Sequence, residues 1–126
     1  MSVIGICVAV GAAGSARALD AAAVRGATRE IVELLFLARD RSMATGLRTA
    51  VRLDNAAERV VVHAGADTIA RLDLRSTRHV HLASTRDSMA YLPSGLGFGA
   101  ANLRIVVSRG HSHDTVTVSR LGRIRR

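Results

Sequence analysis

Residues 24–53 read VRGATREIVELLFLARDRSMATGLRTAVRL, and a change of rhythm inside that stretch decides the fold. Up to Thr45 the apolar positions recur with a helical period. At about 100° per residue, Val24, Ala27, Ile31, Leu34, Leu35 and Ala38 fall in one narrow stripe. Arg25, Arg29, Glu33 and Asp40 lie on the other side, with Arg29 and Glu33 spaced i, i+4 as an ion pair. Gly46 is the predicted helix stop. From Thr49 the period drops to two, with Val51 and Leu53 inward and Arg52 outward. The helix stripe is therefore expected to pack on a sheet. Val32, Phe36 and Met43 make a second apolar row on the flank. A wide core face accounts for that row, and contact with a neighbouring subunit is the alternative.

Toward the start of the chain, Val3 to Ala16 carries no charge. Val3, Ile4, Ile6, Val8 and Val10 make it apolar, and the Gly and Ala that follow dilute it. The run is shorter than the roughly 20 residues that span a bilayer. No basic residue precedes it, as a secretory signal would require. A core strand leaves unexplained why the run passes into Ala16-Arg17-Ala18-Leu19-Asp20 without a Pro. The spacing predicts one continuous helix from the apolar segment to about Thr45. From Ala16 onward that helix alone reaches about 45 Å, long for a domain of this size.

After Gly46 short alternating runs follow one another. Thr49–Asp54, Arg59–Ala64, Thr68–Leu74, His79–Leu82, Asn102–Ser108 and Asp114–Ser119 read as strands. Residues 55–58 and 65–67 read as turns, and Gly95-Leu96-Gly97-Phe98-Gly99 as a flexible loop. The expected architecture is α+β: a long N-terminal α-helix, residues 1–46, packed on an antiparallel β-sheet domain, residues 47–126, whose strands form a meander.

The chain has 126 residues, room for one domain with an appended helix. Its aromatics are Phe36, Tyr91 and Phe98, so Val, Leu, Ile and Ala must fill the core. Cys7 is the one cysteine and cannot form an internal disulfide. All 18 basic residues are Arg, against 10 acids, for a net charge of +8. Residues 100–126 hold six Arg and one acid, Asp114, so most of the excess lies there. A polyanion or an anionic lipid surface is the natural partner of such a segment; a solvated basic terminus is the plain alternative.

Several motifs invite a chemical reading. In Gly122-Arg123-Ile124-Arg125-Arg126 an extended backbone points Arg123 and Arg125 the same way. Two guanidiniums on one face can each hold a phosphate. Arg120, Arg109 and Arg104 extend the track. Phosphate contacts give affinity without sequence preference, and the shortage of aromatics favours a duplex backbone over stacked single-strand bases. The alternative is a closing strand whose arginines keep the sheet soluble. His79-x-His81 and His111-x-His113 have metal-pair spacing, but no Cys joins them, and strand or turn histidines explain them as well. Gly95-x-Gly97-x-Gly99 follows no parallel strand and opens no helix, so it is not read as a phosphate loop. No spacing marks a nucleophile elbow or paired carboxylates. The expectation is no enzyme, no metal, no cofactor and no small-molecule substrate.

Three stretches carry a family resemblance. Leu37-Ala38-Arg39-Asp40-Arg41-Ser42-Met43-Ala44-Thr45-Gly46, followed by Thr49-Ala50-Val51-Arg52-Leu53, resembles a helix end and first strand. Tyr91-Leu92-Pro93-Ser94-Gly95 resembles an aromatic-x-Pro-x-Gly turn. Val116-Thr117-Val118-Ser119-Arg120-Leu121-Gly122-Arg123-Ile124-Arg125 resembles a closing strand with a Gly-Arg-x-Arg ending. In this order they are similar to the GspH/FimT family of type II secretion pseudopilins and type IV minor pilins, across about residues 30–126. The resemblance implies a structural subunit anchored in the bacterial inner membrane by a single pass. Its head would lie in the periplasm or on a pilus, and its partners would be other pilins. Val3, Ile4, Ile6, Val8 and Val10 would then be membrane or filament core. In the FimT-like branch the Gly-Arg-x-Arg ending is associated with DNA binding for uptake, which would place DNA at Arg123, Arg125, Arg126, Arg120 and Arg109. The chain departs from the pattern at the front, where the basic leader, the cleavage motif and the assembly Glu are missing. The expectation is an upstream start codon, with Met1 internal. An unrelated small basic β-domain is the remaining alternative.

Overall fold

The computed structural model describes residues 2–100 and 102–126, and for residues 2–13 the backbone alone. Helix α1 (Ser2–Thr45) runs 44 residues, about 66 Å at a rise of roughly 1.5 Å per residue. It stops where the sequence predicts. Gly46 takes φ +68, and its N–H donates to the Ser42 carbonyl at 3.0 Å, a left-handed close that costs glycine no Cβ strain. The side chains of Val3, Ile4, Ile6, Val8 and Val10 lie outside the described residues. No helix among the described residues is long and apolar enough to cross a membrane.

The predicted stripe is the helix's buried face. Val24, Ala27, Ile31, Leu35 and Ala38 are buried, and Leu34 packs half-buried beside them. Thr28 joins them by donating its hydroxyl to the Val24 carbonyl at 2.8 Å, which satisfies a polar group inside the core. The second row divides. Val32 packs against the core, but Phe36 is 45% and Met43 53% exposed. A wide core face is therefore wrong for those two. Phe36 lies about 100° round the helix from Leu35, beyond the arc that the sheets cover.

Strands β1 (Thr49–Asp54), β2 (Arg59–Ala64) and β3 (Asp67–Asp73) form successive hairpins. Pairs Val51↔Val62 and Leu53↔Val60 turn inward, as the alternation requires. The chain then makes a short helix, α2 (Leu74–Arg78), before β4 (His81–Ser84), β5 (Ser88–Tyr91) and β6 (Gly97–Phe98). It closes with β7 (Leu103–Arg109), β8 (Ser112–Val118) and β9 (Ile124–Arg125).

The single meander is corrected to two sheets, ordered β3-β2-β1-β5-β6 and β4-β7-β8-β9. The cause lies at α2. Asp73 caps it by accepting from the Ser76 N–H, and His79 ends it at φ 53. That turn ejects the chain from the first sheet, so His79 and Val80 are linker and the strand starts at His81. Strand β4 then pairs with β7, while β5 returns to β1. Gly97 and Phe98 also pair with β5 and are strand, where a flexible loop was expected. Both sheets turn one face to the helix. Val51, Leu53, Val60 and Val62 from the first meet Leu103, Ile105, Val107, Val116 and Val118 from the second in a single core with the stripe.

Candidate functional site

The closing hairpin is held by a seam of close backbone contacts. Tyr91 is fully buried, and its hydroxyl donates to the Gly122 carbonyl at 3.4 Å. Burial pushes its phenol pKa up to about 12, with Arg39 pulling the other way, so the ring stays neutral. The Ser42 hydroxyl lies 2.8 Å from both the Tyr91 and the Leu47 carbonyls, and its one proton serves either. The Leu92 and Gly95 turn closes through Gly95 N–H to Leu92 O at 2.8 Å, and Gly97 N–H reaches Arg120 O at 3.1 Å. Gly122 sits at φ +80, and a Cβ there would fall 2.2 Å from the Gly95 carbonyl. The helix end, the Tyr-x-Pro-x-Gly turn and the Gly-Arg-x-Arg ending, distant in sequence, thus meet at one place.

Gly122 also lies in the five-residue connection, residues 119–123, between β8 and β9. Ser119 O accepts from Gly122 N–H at 2.9 Å, and Ser119 N–H donates to Arg123 O at 2.9 Å. A left-handed residue at that point gives the tight hairpin its twist. Arg104, Thr117 and Arg125 then stand in one row across β7, β8 and β9, on the face turned away from the core.

A cleft of 510 Å³ opens over this row. Arg104, Arg120, Arg123 and Arg125 line it with Thr117 and Ser119, and no acid does. None of these four guanidiniums is in an ion pair among the described residues. Unpaired guanidiniums flanking hydroxyls are suited to phosphate or carboxylate oxygens, which they can hold through two parallel N–H donors.

Two of the sequence-predicted arginines are elsewhere. Arg126 is turned to Asp114 at 2.9 Å. Arg109 pairs with Asp20 of α1 at 2.9 Å and donates to the Arg78 carbonyl at 3.1 Å. It stands five residues along β7 from Arg104, about 17 Å away. Neither of these two expected nucleic-acid-binding residues lines the cleft. Thr117 and Ser119, which sequence reasoning passed over, take their place. The cross-strand register that selects them is a long-range property, and β-period alone gave no sign of it.

The histidine pairs do not converge. His81 and His113 share a cross-strand row through Ser108, but the His81 Nδ1 is 2.8 Å from Glu58. Among the described residues no three His, Cys, Asp or Glu side chains are placed to hold a metal. Glu58 accepts from Arg75 as well, at 3.2 Å. Its partial burial alone would raise the carboxyl pKa, but the bonds from His81 and Arg75 outweigh it and hold the group below the usual glutamate range.

At the other end of the head, ion pairs replace the backbone seam. Arg78 lies over Gly26 and pairs with Glu30, its Nε at 2.9 Å. With Asp20–Arg109, these pairs tie the middle of α1 to α2 and to the β7–β8 hairpin.

The sequence matches no protein-family model and no curated protein. Solved structures do match. The type IV minor pilin FimU of Pseudomonas aeruginosa superposes with a TM-score of 0.69 at 11% identity, over 81% of this chain and 86% of that one. The minor pseudopilin EpsH of the Vibrio cholerae type 2 secretion system gives 0.64 at 15% identity, over 81% and 94%. A long N-terminal helix on antiparallel sheets is the fold these structures share with this chain: it has the GspH/FimT-like pilin fold.

Proposed function

We propose that the protein is a minor pilin or pseudopilin, a structural subunit that assembles with other pilins into a type IV pilus or a secretion pseudopilus. The observation that carries this is the reach of α1 beyond the head. Gly14 to Leu19 are exposed, whereas the stripe from Val24 onward is covered by the sheets. The uncovered part, with the apolar residues ahead of it, provides the anchor in the inner membrane and then the filament core. The head faces the periplasm or the filament surface. The role is mechanical, and no reaction is assigned. Fractionation of cells making the chain tests it: recovery with the inner membrane, with crosslinks from α1 to other pilins, is expected. Recovery wholly in the soluble fraction would end the proposal.

The basic cleft favours a second reading nested in the first: the head grips duplex DNA by its backbone. Four guanidiniums with no acid among them suit phosphates, and phosphate contacts carry no sequence information. Retardation of duplex DNA by the full chain, with Arg123→Ala and Arg125→Ala in parallel, tests this. Each substitution should lower the slope of log affinity against log salt by about 0.9. Salt-insensitive binding, or equal binding by the double variant, would refute it.

A further inference from the structure

The first sheet carries an arrangement on its outer face that the sequence did not suggest. Register places Arg52 of β1, Val61 of β2 and Arg71 of β3 in one cross-strand row. The two arginines stand about 10 Å apart, two strand spacings, with only a valine between them. The next row, Asp54–Arg59–Asp73, alternates in sign, and Arg59 pairs there with Asp73 at 3.4 Å. A sheet face that needs only solubility is best served by such alternation, because like charges on neighbouring strands repel. The Arg52–Val61–Arg71 row lacks it. It has the same charge order as Arg104–Thr117–Arg125 on the second sheet.

The row lies in a hollow of 310 Å³ lined by Arg52, Arg59, Arg71, His63, Thr68 and Asp54, among others. Neither Arg52 nor Arg71 is in an ion pair among the described residues, and both are exposed. The nearby acids form no ion pair with Arg52 or Arg71 among the described residues. Asp54 accepts from the Ala57 N–H at 3.0 Å, Asp73 caps α2 and holds Arg59, and Asp87 in the adjoining hollow makes no ion pair with Arg52. Arg59 has an Nε shielded from solvent with no acceptor.

We propose that the outer face of β1–β2–β3 is a second anion site, which takes a phosphate-bearing ligand between Arg52 and Arg71 with Arg59 and His63 on its flank. The site is independent of the cleft on the closing hairpin and of any DNA reading of that cleft. A head with both sites presents phosphate grips on two different sheets.

Calorimetric titration of the full chain with inorganic tripolyphosphate tests it. Two equivalents are expected for the wild type. The pair Arg52→Ala and Arg71→Ala should leave one, and so should the pair Arg123→Ala and Arg125→Ala. In the background lacking Arg123 and Arg125, each further loss of Arg52 or Arg71 should weaken binding roughly tenfold. Arg52→Lys with Arg71→Lys keeps the charge without the fork and should fall between. Unchanged stoichiometry on removing Arg52 and Arg71, with an unchanged melting temperature, overturns the proposal. Loss of DNA retardation alone does not bear on it, since the titration contains no DNA.

Discussion

Two glycines face the same nominal clash in different settings. A Cβ on Gly122 would meet the Gly95 carbonyl at 2.2 Å, and a Cβ on Gly26 would meet the Arg78 guanidinium at 2.3 Å. At Gly122 the obstacle is backbone, in a turn pinned by Tyr91 and by Gly97 N–H to Arg120 O. At Gly26 it is the free end of a long side chain. The two ends of the head are therefore built on different principles: one on fixed backbone approach, the other on charge pairs that can rearrange.

The largest effect that would sharpen this contrast is expected from Gly122→Ala. The residue would have to hold a left-handed backbone and displace the Gly95 carbonyl, a cost of about 3 kcal/mol or more. Urea unfolding should show the loss, and anion binding at Arg123 and Arg125 should weaken with it. A stability within about 0.5 kcal/mol of wild type would break the comparison.

Next in size is the charge end. Arg78 and Glu30 are each about a third exposed, so Arg78→Ala should cost only about 0.5 kcal/mol, and about 1 M salt should erase most of the difference. Melting curves at low and high salt measure it; a loss that salt does not touch would make packing, not charge, the bond at this end.

Glu58 supplies a pH signature. Its folded pKa is lowered by His81 and Arg75, so its contribution is present above the unfolded glutamate value, about 4.3, and is lost as pH falls below it. Wild type should lose stability through that acid range more steeply than Glu58→Gln. Parallel acid titrations of the two would show no divergence if the contacts are inconsequential.

The smallest effect belongs to Gly26→Ala. Alanine gains about 0.8–1 kcal/mol of helix propensity over glycine, while the Arg78 tip must move and its bond to Glu30 loosens. The two effects largely offset, and the net change should be only about 0.3 kcal/mol. A cost equal to that of Gly122→Ala would show that both ends are equally rigid.

Much of the architecture was legible because it is periodic. The stripe from Val24 to Ala38, the stop at Gly46 and the alternation of β1, β2, β7 and β8 are local patterns with one physical reading each. The misses are where local pattern and tertiary context part. Leu74 continues the alternation of β3, yet Asp73 and Ser76 form a cap and open α2. Strands of two residues, β6 and β9, are too short to have a period, and the division into two sheets depends on which strands meet. The same limit governs the basic surfaces. That Arg123 and Arg125 share a face follows from the strand period; that Asp20 and Asp114 occupy Arg109 and Arg126 does not. Nor can sequence order reveal that Arg52 and Arg71 flank one valine, since they come from different hairpin arms.

The junction at Gly122 has a consequence for how such heads diverge. What it needs is chiefly the lack of atoms: a bare α-carbon at 122 close against a carbonyl at 95, and one ring filling the space beside them. Almost every other position of the head can then be exchanged, provided inward places stay greasy. A joint defined by emptiness is set by which atoms are missing, so it leaves little trace in residue-by-residue similarity.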